Sequence, residues 1–448
     1  MKNSSNKNRL ESILSLFTEV KAKEGTKALL MSLNIFLILT AYLIAKVVRE
    51  PLILDSPGGA EIKSYASVIQ VFLLIGVVQI FGWLVSKLSS RKLINSVTLF
   101  FVSCFVLFYL SHLILGGING ITYFLWVGIF SLMIIAQFWS FANDIYTPEE
   151  GKRLFVLLAF GASLGGVIGP TIASAILSIF GIFNLLLVSA GILLISLLLT
   201  NFIITKYVDD ISNKGKEKTK TEIEKTGALK VVFRNRYLLM IALLILVTNL
   251  VNTTGEYILG KGVEQAAQDL TPQLSADPDI QKTFIGKFYA DFYSIVGFVG
   301  LILQLVVVSR ILKYFGVRTA IMTLPIIALG TYLSIAIFPV LAVIRWGKTA
   351  ENATDYSLNN TVRHILFLPT TKEEKYKGKV AIDSFFVRAG DVLSAGLVFA
   401  GVSWFTFQIQ HFAIVCLCLV IIWLFIAFWI GKENKRLIKE KELSIENV

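Results

Sequence analysis

Residues 339–368 read PVLAVIRWGKTAENATDYSLNNTVRHILFL, and their polar side chains repeat at helical spacing. At ~100° per residue, Arg345, Lys348, Asn352, Asp355, Asn359 and Arg363 fall within an arc of roughly 80°. Trp346, Ala350, Ala353 and Thr354 occupy the opposite side. Guanidinium, ammonium and amide donors on one helix face suit an anionic ligand, with Asp355 as a balancing charge. The segment sits between long apolar runs, and a charge at mid-bilayer costs ~2.5–3.5 kcal/mol even on the lenient insertion scale. The stripe is therefore expected to line a polar pathway inside the protein.

Other polar groups interrupt apolar helices. Lys46 and Arg49 are one turn apart, with Glu50 beside them, which fits either a snorkelling pair at a helix end or an anion site. Asn249, Asn252, Thr253 and Glu256 share a face. Interhelical hydrogen bonds account for the amides, whereas Glu256 requires a cation, a proton or a partner. Lys287 and Asp291 are spaced to pair with each other. Lys379 and Asp383 open a further helix, followed by Arg388 and Asp391, which either satisfy one another or place Asp391 as the gate of a phosphate-binding Arg388. The expected substrate-binding set is Lys46, Arg49, Glu256, Arg345, Lys348, Asn352, Asp355, Asn359, Arg363, Lys379, Arg388 and Asp391. Cys104, Cys416 and Cys418 lie in apolar helices, and His112, His364 and His411 are far apart in sequence, so no metal-ligand spacing arises. Without a P-loop or a catalytic constellation, no enzyme activity, metal or cofactor is expected.

The elements that position these residues follow from composition. Of 448 residues, 55% are hydrophobic and 16% charged, with a mean hydropathy of +0.72, far from a soluble globular domain. Runs long enough to span ~30 Å of hydrocarbon, ~20 residues each, lie near 28–47, 65–86, 93–114, 121–142, 154–178 and 182–206. Six more lie near 237–259, 287–310, 317–338, 340–366, 380–404 and 409–431. The expectation is an all-α polytopic membrane protein of about twelve helices. Lys and Arg concentrate in alternate loops, which sets both termini in the cytoplasm; without the 340–366 span, the Lys372–Lys379 cluster would fall on the wrong side. The +12 charge is then an orientation signal, with no nucleic acid implied. The first apolar run follows a charged stretch and is too long for a cleaved signal peptide, and residues 10–20 look amphipathic. The charge-dense stretch around 207–236 divides the chain into a cytoplasmic segment 1–26, a six-helix bundle 27–206, a linker 207–236, a second bundle 237–431 and a tail 432–448. Gly161, Gly165, Gly166, Gly169 and Pro170 in the fifth span fit close helix packing, or a bend between the halves.

The basic loops after the second helix of each half (Lys87 and Arg91; Arg310, Lys313 and Arg318) resemble the major facilitator pattern, with Ser86 where an acid is usual. Four patches are similar to the ATP/ADP translocase family of plastids and intracellular bacteria: AYLIAKVVREPLIL with GGAEIKSY; QFWSFANDIYTPEEGKRLF; Glu256 to Lys261 with Ala290-Asp291-Phe292; and TDYSLNNTVRHILFLP with KGKVAID. Leu125 to Val127 and Arg388-Ala389-Gly390-Asp391 depart from the family pattern, as in a divergent bacterial branch. The resemblance implies two bundles with substrate between them near the midplane, and it carries the family's coupling cations and acid onto Arg49, Glu256 and Lys379. It also implies a monomeric, nucleotide-binding secondary transporter or antiporter for a phosphorylated, nucleotide-like anion in a bacterial inner membrane. The alternatives are a proton-coupled facilitator for another solute, with Glu256 or Asp355 as proton carrier, and a non-transporting receptor or scaffold.

Overall fold

The structure, a computed structural model, describes residues 18, 20–21, 24–207, 228–270, 280–371 and 374–446. Most of the 10–20 stretch, most of the 207–236 linker and the Lys372 end of the basic loop lie outside the described residues. Every regular element among the described residues is helical. The long ones are α1 (Gly25–Leu54), α2 (Gly59–Lys87), α3 (Ser90–Leu115), α4 (Gly120–Ile145), α5 (Pro148–Phe180) and α6 (Asn184–Tyr207). After a short helix, Ala228–Arg234, come α7 (Arg236–Leu270), α8 (Ile280–Tyr314), α9 (Gly316–Ile337), α10, α11 (Lys379–Ser403) and α12 (Ile409–Glu446). α10 comprises Leu341–Thr354, a π turn Asp355–Asn359, and Asn360–Leu366.

Eleven of these helices are long and apolar enough to cross a membrane. α10 is outside that set because its charges lower its hydropathy. Its segments of 14, 5 and 7 residues nevertheless follow one another without a break. At ~1.5 Å per residue they exceed a ~30 Å hydrocarbon core. Large apolar side chains such as Phe72, Leu115, Ile179, Leu198 and Phe425 are exposed along the helices, as a lipid-facing surface requires.

The chain divides into two compact units. The first comprises residues 1–55, 72–220 and 276–297; the second comprises 56–71, 221–275 and 298–448. α2 and α8 each contribute one part to either unit. In the first unit α1 is the central helix, packed on α4, α5 and α6. Ala28, Met31, Ile35, Ile38, Ala41, Ala45 and Val48, three or four residues apart, are its buried stripe. Polar groups within this core satisfy one another: Asn34 Nδ2 donates to Thr200 Oγ1 at 2.7 Å, and Ser196 Oγ donates to Asn34 Oδ1 at 2.6 Å. In the second unit, α7 packs on α10, α11 and α12, and α9 packs on α10 and α12.

Gly161, Gly165 and Gly169 of α5 are packing residues. A Cβ at Gly165 would lie 2.6 Å from the Phe36 carbonyl oxygen, and one at Gly169 would lie 2.8 Å from that of Thr40, both on α1. One at Gly166 would meet nothing within 4 Å. Before α1, Arg153 holds Glu24 through two hydrogen bonds of 2.9 and 3.0 Å. Burial pushes the Glu24 carboxyl up, but the Arg153 bonds, the Lys21 backbone N–H and the two positive charges outweigh it, and the net shift is downward.

Gly165→Ala and Gly169→Ala are expected to destabilise the protein by ~1–3 kcal/mol, because backbone cannot yield as a side-chain tip can. Gly166→Ala should be neutral or slightly stabilising; thermal unfolding in detergent compares the three. Because Glu24 is depressed on folding, its contribution is present above the ordinary value of 4.5 and is lost as pH falls through the lower folded value. Arg153→Ala should therefore cost ~0.2–1 kcal/mol near neutrality. That penalty should shrink in melts taken at progressively lower pH.

Candidate functional site

The polar side of α10 faces the interior of the second unit, while Trp346 is exposed on its other side. Lys348 has no exposed surface. Its ammonium donates to Glu351 Oε2 at 2.7 Å and to Asn252 Oδ1 on α7 at 3.0 Å, and lies 3.9 Å from Glu256 Oε1. Asn352 Nδ2 donates to Glu256 Oε1 at 2.9 Å, and the Tyr332 hydroxyl on α9 is 3.3 Å from Glu351 Oε2. The local sequence makes room for this cluster. A Cβ at Gly255 would collide with the Tyr332 hydroxyl and stand 2.8 Å from the Lys348 nitrogen. Taking ions out of water costs several kcal/mol each, so close partners on every side are the condition for burying Lys348.

The π turn then changes what the helix presents. The Asn360 N–H reaches the Asp355 carbonyl, five residues back, so one additional residue enters the turn and the phase of the stripe shifts across it. Asp355, Asn359 and Arg363 line a cleft with Thr248, Asn249, Asn252 and Val387. Asn359 Nδ2 donates to Asp355 Oδ1 at 2.6 Å, and Arg363 also bonds Asp383 at 2.9 Å. A smaller cleft is lined by Thr248, Asn252, Glu351 and Asp355 among apolar neighbours. Neither cleft is lined by Lys348, which stands behind Asn252, nor by Arg345, which is half-buried with its guanidinium 5.8 Å from the Trp346 ring. The uniform arc is thus two groups: Lys348 and Asn352 in a buried cluster, and Asp355, Asn359 and Arg363 on open space.

The remaining expected residues fall in three places. In the first unit, the Lys46 ammonium lies 4.2 Å from the Tyr293 ring centroid, and Arg49 pairs with the fully buried Glu50 and lies 4.9 Å from the Phe124 ring. The Tyr293 hydroxyl donates to Glu50 at 3.1 Å. In the second unit, Asp391 accepts from Asn249, Thr253 and Arg388 at 2.6, 2.9 and 3.2 Å. Lys379 Nζ is 2.8 Å from His364 Nδ1, beyond the Arg363 end of the cleft. Asp291 accepts from Ser174 at 2.6 Å.

Sequence reasoning left Glu50 out of the expected set and passed over Glu351 and Tyr332. Glu351 follows Lys348 by three residues, the spacing of an intrahelical ion pair, and that was its signal. Tyr332 had none, because only the packing of α9 brings it to the cluster. A further charged group was missed as well: Lys261 Nζ bridges Glu61 at 3.0 Å and Glu264 at 3.4 Å, while Glu264 accepts the Gly58 N–H before α2 at 2.9 Å.

Comparison with known proteins places this geometry. The Major Facilitator Superfamily model matches residues 30–368, and the TLC ATP/ADP transporter model matches residues 336–434, which take in α10, α11 and most of α12. The chain is 24% identical to ADP,ATP carrier protein 1 of Chlamydia trachomatis serovar D, covering 84% of this chain and 82% of the relative. It is 21% identical to ADP,ATP carrier protein 1 of Rickettsia conorii, over 99% and 100%. Among solved structures, a bacterial homologue of the iron transporter ferroportin aligns with a TM-score of 0.64 at 12% identity, over 91% of this chain and 98% of that one. The nucleoside transporter NupG aligns with a TM-score of 0.58 at 12% identity, over 92% and 98%. These two likenesses carry the fold alone. The chain belongs to the Major Facilitator Superfamily and is a multi-pass membrane transporter, with its residues 336–434 similar to the TLC ATP/ADP transporters.

Proposed function

We propose that this protein is a secondary transporter or exchanger of a phosphorylated, nucleotide-like anion, working by alternating access. The observation that carries the reading is the cleft within the second unit, where the Arg363 guanidinium and the amides of Asn249, Asn252 and Asn359 border space inside a membrane helix bundle. Planar guanidinium and amide donors are the groups that recognise phosphate oxygens, and the low dielectric strengthens each contact. The relatives are named ADP,ATP carriers, which makes an adenine nucleotide the first substrate to test.

In this reading Arg363 meets the phosphate first, Lys348 is the reserve cation behind Asn252, Arg345, Lys379 and Arg388 are the further anion contacts of the second unit, and Lys46 and Arg49 are those of the first. Glu351 and Glu256 hold Lys348 and Asp391 holds Arg388 when the site is empty, with Asp355 balancing the charge of the cleft. The division into bundles 27–206 and 237–431, cytoplasmic termini, a monomeric state and an inner-membrane location belong to the same proposal. A proton-coupled facilitator of another solute is the second reading, favoured by two carboxylates, buried Glu351 and half-buried Asp355, on one cleft.

In proteoliposomes loaded with unlabelled ADP, labelled ATP should enter by counter-exchange. Arg363→Ala should weaken apparent affinity ~10–100-fold, as loss of one charge-assisted contact of ~1.5–3 kcal/mol implies. Lys348→Ala should abolish uptake while folded protein is still recovered, and Arg345→Ala should reduce it. Undiminished uptake in all three would remove the site assignment. A separate thermal-shift screen of the purified protein distinguishes the two readings: ATP or ADP should raise the melting temperature, whereas stabilisation by a different metabolite alone would favour the second.

A further inference from the structure

Glu351 is 4% exposed, and its two carboxylate oxygens are treated differently. Oε2 accepts from Lys348 at 2.7 Å and from the Tyr332 hydroxyl at 3.3 Å. Oε1 is buried and accepts no hydrogen bond among the described residues. Glu351 also borders the smaller cleft with Asp355 and Asn252. One ammonium therefore serves two carboxylates, Glu351 at 2.7 Å and Glu256 at 3.9 Å. The Glu256 side chain is 26% exposed and that of Glu351 only 5%. Water can compensate Glu256; Glu351 depends on Lys348.

The path from open space to this ammonium is one side chain long. Asn252 lines both clefts and accepts from Lys348 through Oδ1 at 3.0 Å. A phosphate seated against Asn252 competes with Glu351 for the same N–H donors. The titratable groups around Glu351 are Lys348 and, one turn on and lining the same cleft, Asp355 on α10, Glu256 on α7, Tyr332 on α9 and Cys416 on α12. Apart from Lys348 these are acids or neutral groups, so nothing else in this set supplies a positive charge once the lysine turns away.

We infer that Glu351 is a proton-binding site coupled to the anion: when a phosphate group draws Lys348 away, Glu351 takes up a proton, and anion and proton enter together. The inference rests on the anion-transport reading above. Lys348 keeps its proton and moves its N–H donors from Glu351 Oε2 to a phosphate oxygen, while a proton from water forms an O–H bond on the Glu351 carboxylate. The alternative, a carboxylate left buried and unpaired, carries a cost of several kcal/mol. The neutral acid does not.

Two measurements test this. ATP or ADP is added to purified protein in weakly buffered detergent solution containing a pH indicator, with binding followed in parallel by calorimetry. Wild type should take up about one proton per nucleotide bound through this site, and Glu351→Gln should take up about one fewer. Nucleotide binding with equal proton uptake in both proteins overturns the inference and leaves the anion reading standing. Absence of nucleotide binding overturns the nucleotide reading instead, and the second measurement then decides. By infrared spectroscopy at neutral pH, Lys348→Met should gain a neutral-carboxyl stretch that is missing from wild type and from Lys348→Met/Glu351→Gln. A Lys348→Met spectrum without that band, or with the band retained in the double variant, overturns the proton site whatever the substrate. If Lys348→Met is not recovered folded, proton release on acid-to-neutral titration of wild type against Glu351→Gln serves in its place, and identical curves overturn the inference.

Discussion

A lysine with no exposed surface inside a membrane helix bundle must carry its counter-charge with it, and the second unit is built around that condition. Lys348 satisfies it with Glu351 one turn away, Glu256 on α7 and the Asn252 side-chain oxygen. Three helices have to meet closely for this to work. Gly255 removes the side chain that would stand where the ammonium lies, and Tyr332 brings a hydroxyl from α9 to the same carboxylate. The amide-bearing face of α7 is thus committed twice, to the lysine through Asn252 and to Asp391 through Asn249 and Thr253.

The same rule governs the first unit with different parts. Arg49 is matched by buried Glu50 and by an aromatic face, and Lys46 by the ring of Tyr293. Each of these cations already has an internal partner, so an incoming anion must exchange for that partner rather than simply add a contact. Net affinity is then a difference between two strong interactions. Such a site discriminates by how well a ligand replaces a carboxylate, which favours phosphates over weaker acceptors. Membership in a transporter family sets aside the receptor or scaffold reading.

The helical class and eleven of the twelve expected spans were legible because ~20-residue apolar runs carry that information directly. α10 is not among those eleven, and only the charges of the loops beside it argued for a twelfth span. Its stripe was read at uniform pitch, which is where local reasoning stopped: a π turn has no sequence signature comparable to a glycine or a proline. Glu351 lay about 40° beyond the edge of that arc at ~100° per residue, and so was left out, though its spacing to Lys348 was a usable signal. Tyr332 becomes a site residue only through packing among helices, and that is not written in any one segment, whereas Glu50 stands next to its partner Arg49 in sequence. The glycines of α5 were readable as small-residue packing, but which of them touch α1 was not.

The π turn at Asp355–Asn359 has a consequence for reading relatives. Such a turn is what remains when a helix accommodates one inserted residue without breaking. A homologue lacking the insertion would match this chain residue for residue on one side of the turn and be out of step by one on the other. Correspondence for Arg345, Lys348 and Glu351 must then be established independently of that for Asn359 and Arg363. Ungapped alignment through the turn would assign one of the two groups to the wrong neighbours.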